Sequence, residues 1–271
     1  MTSNDHFLIV KNLSSAYASR PWGIFGKKEV KPVLNGVQLS IQKGEIFGLV
    51  GESGCGKTTL AKCILGLIDY EGEISINGRS RSKKPSSRER REGAFDVQAV
   101  FQDPGASLNP VKTIGWILEE PLRAHGKAFV NGREGAAKRQ QKVDEVLELV
   151  GLDASYKKRK PQELSAGQKQ RVSIGAALML NPGLIIADEP VSALDVSVAA
   201  QILNLFRELN ERLGLALLFI SHNLDLVDYL CDRVAVIREG KIEDRAQGTE
   251  QFSQRREKTQ ENGPQISADL E

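Results

Sequence analysis

Residues Gly51-Glu52-Ser53-Gly54-Cys55-Gly56-Lys57-Thr58 follow the pattern G-x-x-x-x-G-K-[ST], a spacing suited to holding a triphosphate. A polyphosphate leaving water needs a ring of backbone N–H groups, and only glycines let the chain turn tightly enough to aim them inward. Lys57 then brings an ammonium to the β- and γ-phosphates and Thr58 offers a hydroxyl to Mg2+. Thr59 opens a helix-like stretch to Leu67, whose positive dipole end faces the same phosphates. Cys55 reads as a small side chain at a permissive position rather than a redox control. Glu52 is not the base of the reaction, because a better-placed carboxylate follows later in the chain.

That carboxylate belongs to Leu184-Ile185-Ile186-Ala187-Asp188-Glu189, an apolar strand ending in two acids. Phosphoryl transfer needs one carboxylate for the metal and one group to orient or deprotonate water. Asp188 is assigned to Mg2+, through water, and Glu189 to the attacking water. Gln102 supplies a neutral oxygen that completes the Mg2+ shell and senses the γ-phosphate. His222, within Ile220-Ser221-His222-Asn223, is placed to donate to the γ-phosphate and to hold Glu189. A lone histidine at a strand end is more often structural, so the role of His222 rests on the whole constellation.

These residues need strands and helices to position them. Phe7 to Val10 and the alternating Val33 to Ile41 read as strands, with a Pro- and Gly-containing stretch, Arg20 to Lys31, between them. Glu45 to Val50, Val97 to Phe101, Leu184 to Ala187, Leu215 to Ile220 and Val234 to Ile237 read as further strands, most of them buried on both faces. Helical periodicity at Val198 to Leu213 and Leu224 to Leu230 alternates with the later ones, which argues for a mostly parallel sheet covered on both sides. Between about Thr113 and Leu180 no comparable strand occurs, and Val143, Val146, Leu147 and Val150 fall on one helical face. The reading is a core over residues 1–110 and 182–245, a helical subdomain at about 111–181, and a polar tail at 246–271.

Composition narrows the class. The 271 residues carry 37 basic and 35 acidic side chains, with 40% hydrophobic and 27% charged residues, which excludes global disorder. No apolar run reaches the roughly 20 residues of a membrane span, and the start does not look like a signal peptide. Cys55, Cys63 and Cys231 show no metal-ligand spacing. Arg79 to Glu92 holds seven Lys or Arg against two Glu, but without the aromatic platforms of a nucleic-acid surface, so it reads as a solvated loop.

Together these residues resemble the nucleotide-binding subunits of ABC transporters over approximately residues 7–245. The most specific mark is Leu164-Ser165-Ala166-Gly167-Gln168, followed by Lys169-Gln170-Arg171, which is similar to the family's LSGGQ signature. Ser192-Ala193-Leu194-Asp195 looks like its D-loop, and Tyr17 occupies the place of the aromatic that stacks on adenine. The resemblance implies an α/β fold of the P-loop NTPase kind: a RecA-like mixed sheet, N-terminal antiparallel strands and an inserted helical subdomain. It also implies that Ser165, Ala166, Gly167 and Gln168 close over ATP held by the phosphate loop of a second ATPase subunit, so no site is complete in one chain.

A narrower likeness lies in Phe101-Gln102-Asp103-Pro104-Gly105-Ala106-Ser107-Leu108-Asn109-Pro110, in Glu120-Pro121-Leu122 and in Asp195-Val196-Ser197-Val198. These resemble the di- and oligopeptide and nickel importer branch. What that implies is a peripheral ATPase on the cytoplasmic face of the cell membrane, paired with a different ATPase subunit beneath two permease subunits and fed by an extracytoplasmic solute-binding protein. The segment after Gln102 would form the groove for a permease helix, and nucleic acid is not an expected partner. Three departures stand out. Ala166 replaces a signature glycine and predicts looser closure on the neighbour's γ-phosphate. Gly175-Ala176-Ala177-Leu178 stands where an arginine is common, and Asn223 where aspartate usually follows the histidine.

A different class, an ABC ATPase acting on DNA or ribosomes, is disfavoured. Ser165 follows Gln102 by 63 residues without the sustained heptads of a long coiled-coil insertion, and a single cassette is present rather than two.

Overall fold

The computed structural model describes residues 5–19, 29–125 and 132–244. The stretch 20–28 between the first two strands and the tail at 246–271 lie outside these residues. Ten strands and eight helices are named here in chain order. The strands are β1 (His6–Ser19), β2 (Glu29–Gln42), β3 (Ile46–Val50), β4 (Glu71–Ile76), β5 (Arg79–Ser80), β6 (Val97–Val100), β7 (Leu184–Asp188), β8 (Ala216–Ser221), β9 (Arg233–Arg238) and β10 (Lys241–Asp244). The helices are α1 (Lys57–Ile64), α2 (Ser87–Gly93), α3 (Pro104–Ser107), α4 (Ile114–His125), α5 (Gly132–Leu149), α6 (Ala166–Leu178), α7 (Val196–Leu213) and α8 (Leu224–Leu230).

The main sheet runs β10-β9-β3-β8-β7-β6. All its neighbours pair in parallel except β10, which is antiparallel to β9. Strands buried on both faces should read as continuous apolar runs, and β3, β7 and β8 are buried along their whole length. Their alternate residues enter two separate cores. Ile185, Leu217 and Phe219 pack with the helices α4 to α8. Leu184, Ile186, Leu218 and Ile220 pack with α1 and with an antiparallel sheet of order β2-β1-β4-β5.

Helix ends are set by side chains chosen for the purpose. Asp195 caps α7 by accepting the Val198 N–H at 3.0 Å, which satisfies a donor that the first turn leaves open. At its other end Gly214 takes the left-handed conformation, φ 63°, that glycine adopts at little cost. Asn223 caps α8 by accepting from Asp225 and Leu226, so its amide oxygen does the capping work an aspartate would do.

Between β6 and β7 the described residues form helices and turns and no strand. Val143, Val146, Leu147 and Val150 are all buried to 1% exposure or less, as the period of α5 predicts. Gly175 lets α6 come close: a Cβ there would meet Val146 Cγ1 at 3.1 Å and Leu118 Cδ2 at 3.3 Å. Among the buried residues of α4 is Glu119, which binds Arg123 and accepts from Gln140 at 2.6 Å.

The basic segment differs from expectation. Rather than a plain loop it forms β5 and α2, and α2 is held by a capping box in which Ser86 and Glu89 satisfy each other's backbone N–H. Arg81 is drawn inward to Asp96 at 2.8 Å. Cap and ion pair supply the order that charge content alone does not reveal. β4 and β10 are also additional to the sequence reading; both are short pairing partners whose own pattern is weak.

Candidate nucleotide site

The strand order β3-β8-β7-β6 brings the ends of four strands side by side. Gly51 follows β3, His222 follows β8, Glu189 follows β7, and Gln102 comes two residues after β6. Carboxyl ends of parallel strands are where α/β sheets bind ligands. Residues spread over 171 positions of sequence, from Gly51 to His222, therefore share one edge.

The phosphate loop leaves β3 and turns into α1 through Gly56 at φ 114°, a backbone conformation closed to residues with a side chain. A Cβ at Gly56 would also meet Leu34 Cδ2 at 2.8 Å. Glu52, Ser53 and Gly54 are exposed, whereas Lys57 and Thr59 are buried. Lys57 Nζ donates to the carbonyls of Gly51 and Glu52 at 2.6 and 2.9 Å. Its ammonium is thus folded into the loop that it would share with phosphate.

Thr58 Oγ1 donates to Asp188 Oδ2 at 2.8 Å, which joins two of the three residues assigned to Mg2+. The other carboxylate oxygen, Asp188 Oδ1, is buried with no hydrogen-bond partner. Burial pushes the Asp188 carboxyl above the usual range; the Thr58 hydroxyl opposes that, Glu189 adds to it and Lys57 lowers it. An orphaned, buried oxygen beside a hydroxyl is the donor set a hard divalent cation takes, so Thr58 and Asp188 fit Mg2+.

Glu189 sits just past β7 with φ 51°, an uncommon value for a residue with a side chain. Its N–H donates to the Ile220 carbonyl at 2.9 Å, and its Oε2 lies 2.6 Å from His222 Nδ1. The backbone carbonyl of Glu189 accepts from Ser192 Oγ at 3.1 Å, which ties the segment leading to Asp195 to the same turn. Gln102 is exposed on the neighbouring strand end. Tyr17 is 44% exposed near the end of β1 and faces Lys31 on β2. Ser15, two residues earlier, pairs with the Leu34 that abuts Gly56.

Ser165, Ala166, Gly167 and Gln168 lie at the start of α6 rather than on one of the four strand ends. Ser165 Oγ accepts the Gln168 N–H at 3.3 Å and Gln168 Oε1 accepts the Ser165 N–H at 3.0 Å, a reciprocal cap. Ala166 is exposed. Gly167 is buried, and a Cβ there would meet Val198 Cγ1 at 2.5 Å, so this glycine is required by packing against α7. Gln168 Nε2 also donates to Tyr156 Oη at 2.9 Å. No motif or periodicity pointed to Tyr156, which stands in a lysine-rich turn.

Residues 34–192 match the ABC transporter family. The chain belongs to the ABC transporter family. This ABC cassette is 47% identical over 223 residues to the oligopeptide transport ATP-binding protein AppF of Bacillus subtilis, covering 81% of the chain and 66% of that protein. It is 44% identical to AmiF of Streptococcus pneumoniae, an oligopeptide transport ATP-binding protein, over 84% of the chain and 72% of that protein. To the dipeptide transport ATP-binding protein DppF of Haemophilus influenzae it is 42% identical, over 85% and 69%. Thus the chain spans just under two thirds of AppF and somewhat more of the other two.

Among solved structures, a dimeric post-hydrolysis state of the ATP-binding cassette MJ0796 with ADP and Pi superposes with a TM-score of 0.73 at 28% identity, over 89% of this chain and all of that one. The cassette cbiO1 of Clostridium perfringens, part of the transporter complex cbiONQ, gives 0.76 at 26% identity, over 97% of each chain. The fold is that of an ABC ATPase.

Proposed function

We propose that this cassette is the ATP-hydrolysing subunit of a peptide importer. The observation that carries the reading is the row of strand ends at which the Lys57 loop, the Thr58–Asp188 pair and the Glu189–His222 pair meet. Peptide is favoured over nickel as the solute because the relatives above are named for oligopeptides and dipeptides.

ATP is bound with its phosphates on the loop from Gly51 to Thr59 and its adenine against Tyr17. Thr58, Gln102 and Asp188 would hold Mg2+, which would supply charge neutralisation to the phosphates. Glu189 orients the attacking water and takes up its proton, while His222 fixes that carboxylate and contacts the γ-phosphate. This γ-phosphate also meets the signature segment of a second ATPase subunit, of different sequence, while Ser165, Ala166 and Gly167 of this chain meet the nucleotide held by that neighbour, with Gln168 and Asp195 at the same seam. Two MgATP molecules are sandwiched in this way, and closure of the pair drives the permeases.

No helix among the described residues is long and apolar enough to cross a membrane. In this reading the cassette acts at the cytoplasmic face through two permease subunits, supplied by an extracytoplasmic binding protein. The docking place for a permease helix is a groove of about 470 Å3 lined by Leu67, Pro85, Arg90, Phe101 and His125 among others; none of the described residues at 102–124, where the sequence reading places the groove, lines it. Its walls come from the end of α1, from β5, α2 and β6, and from His125 at the end of α4.

Purification from native membranes through a tag on this chain tests the reading. The expected product contains membrane subunits and a second cassette, and it hydrolyses ATP faster when peptide-loaded binding protein is added. Copurification with nucleic acid or ribosomes in place of membrane proteins would overturn it.

A further inference from the structure

Gln168 has both ends of its side chain engaged. Its oxygen accepts the Ser165 N–H, closing the cap of α6, and its nitrogen donates to Tyr156 Oη at 2.9 Å. Tyr156 is itself anchored. The Arg159 guanidinium lies over its ring, 4.1 Å from the centroid, and the Arg159 N–H donates to the Tyr156 carbonyl at 3.0 Å. The Arg159 carbonyl in turn accepts from the N–H of Ile114 at 2.9 Å, the first residue of α4. Next to it, Gly115 packs so closely that a Cβ would meet the Lys157 carbonyl at 3.2 Å. Lys157 is paired with Asp144 of α5 at 2.6 Å. The turn around Tyr156 is therefore fixed to α4 and α5 and reaches across to the N-terminus of α6.

We propose that Tyr156 is a positioning residue for the trans nucleotide contact: through Gln168 it holds Ser165 in the orientation that meets ATP on the neighbouring subunit. The proposal rests on the sandwich arrangement described above. Tyr156 touches no reacting atom. Its effect is to limit the freedom of the Gln168 side chain, which otherwise could leave the cap and let the first turn of α6 fray. Because the same turn is hydrogen-bonded to the start of α4, the orientation of Ser165 is referred to the helix that follows the Gln102 segment.

Tyr156→Phe keeps the ring and its stacking on Arg159 and removes only the hydroxyl. In the assembled complex it is expected to raise the ATP concentration for half-maximal hydrolysis about fivefold, the equivalent of one hydrogen bond at about 1 kcal/mol, with kcat within about twofold. MgATP affinity of the full chain alone, measured with a fluorescent ATP analogue, should not change, since the phosphate loop is untouched. In a Gln168→Ala background the same substitution should add nothing. An unchanged half-saturation overturns the proposal. So does an equal shift in both backgrounds, which marks a packing effect, or weaker binding by the chain alone. Ser165→Arg separates the two levels, because it obstructs the neighbour's nucleotide directly. Normal hydrolysis by Ser165→Arg removes the sandwich reading and this inference with it. Loss of hydrolysis in Ser165→Arg with an unaffected Tyr156→Phe removes the inference alone.

Discussion

Glu189 Oε2 and His222 Nδ1 are 2.6 Å apart, although the two residues stand 33 positions apart and on different strand ends. The contact is a product of the β7-β8 pairing, which sets Asp188 opposite Ile220. Glu189 is additionally held by its N–H to the Ile220 carbonyl. A carboxylate restrained from its backbone and from its tip can aim one oxygen at water without paying for that order during the reaction.

Glu189→Gln preserves the size of the side chain and its contact with His222 but removes the proton acceptor. ATP binding should stay within about twofold, while turnover in the assembled complex falls by roughly 100- to 10,000-fold, the range of general base catalysis. His222→Ala leaves Glu189 present but loose, so its loss should be smaller than that of Glu189→Gln. Phosphate release under saturating MgATP reads both, and near-normal turnover by Glu189→Gln would remove Glu189 from its role.

Lys57→Ala acts earlier, on binding. In this structure the ammonium is spent on two loop carbonyls, and phosphate oxygens offer it stronger, charge-assisted partners. A charged hydrogen bond is worth about 1.5–3 kcal/mol, so ATP affinity should drop by roughly 10- to 100-fold in equilibrium titration. Asp188→Asn should instead leave metal-free nucleotide binding intact and abolish its dependence on Mg2+. Chelation of Mg2+ in the parent protein should give the same plateau as Asp188→Asn with metal present.

The cysteines offer a test of packing around the site. Burial pushes the Cys63 thiol up to about 11 and Cys231 well above its ordinary value, and both are shielded within the core. At pH 8 only about one Cys63 in a thousand is thiolate, the reactive form. Cys55, partly exposed inside the phosphate loop, should be alkylated first by iodoacetamide, and saturating MgATP should protect it. Peptide mass spectrometry checks the order; labelling of Cys63 before Cys55 in the folded protein would contradict the burial seen here.

Much of this arrangement could be read from residues alone, for physical reasons that differ by element. The strands β3, β7 and β8 are continuous apolar runs because both faces are buried, and their termini carry the polar residues that the motifs name. By contrast β5 has no apolar residue and exists by pairing with β4, and β4 shows only Ile74 and Ile76, which are buried in the core but too few to mark a strand by themselves. Helix α2 was hidden by its charge, since Ser86 and Glu89 act through caps rather than through an apolar face. Tyr156 was invisible because its partner, Gln168, is adjacent only after α6 and the preceding turn have folded together.

The groove near α2 yields a prediction about assembly. Leu67 is 53% exposed and Phe101 39%, and both line the same depression. Phe101→Asp or Leu67→Asp introduces a charge that docking would have to desolvate without a partner. Each variant should keep MgATP binding by the chain alone and reduce recovery of membrane subunits in tag purification. Full recovery with both substitutions combined would place docking elsewhere.

Ala166 and Gly167 are neighbours in the signature, yet the structure separates what each can tolerate. Gly167→Ala forces a methyl onto Val198 Cγ1 at 2.5 Å, so α6 must shift from α7, at about 1–3 kcal/mol for an overpacked site. That variant should unfold at lower urea concentration. Ala166, in contrast, is exposed and meets no such limit within its own chain, so Ala166→Gly should change stability by no more than the roughly 1 kcal/mol of helix propensity. Its effect belongs to the neighbour's nucleotide, where loss of the methyl gives the γ-phosphate closer access to backbone N–H groups. Half-saturation for ATP in the assembled complex should therefore fall in Ala166→Gly. If it rises or stays constant, the methyl is not what limits closure.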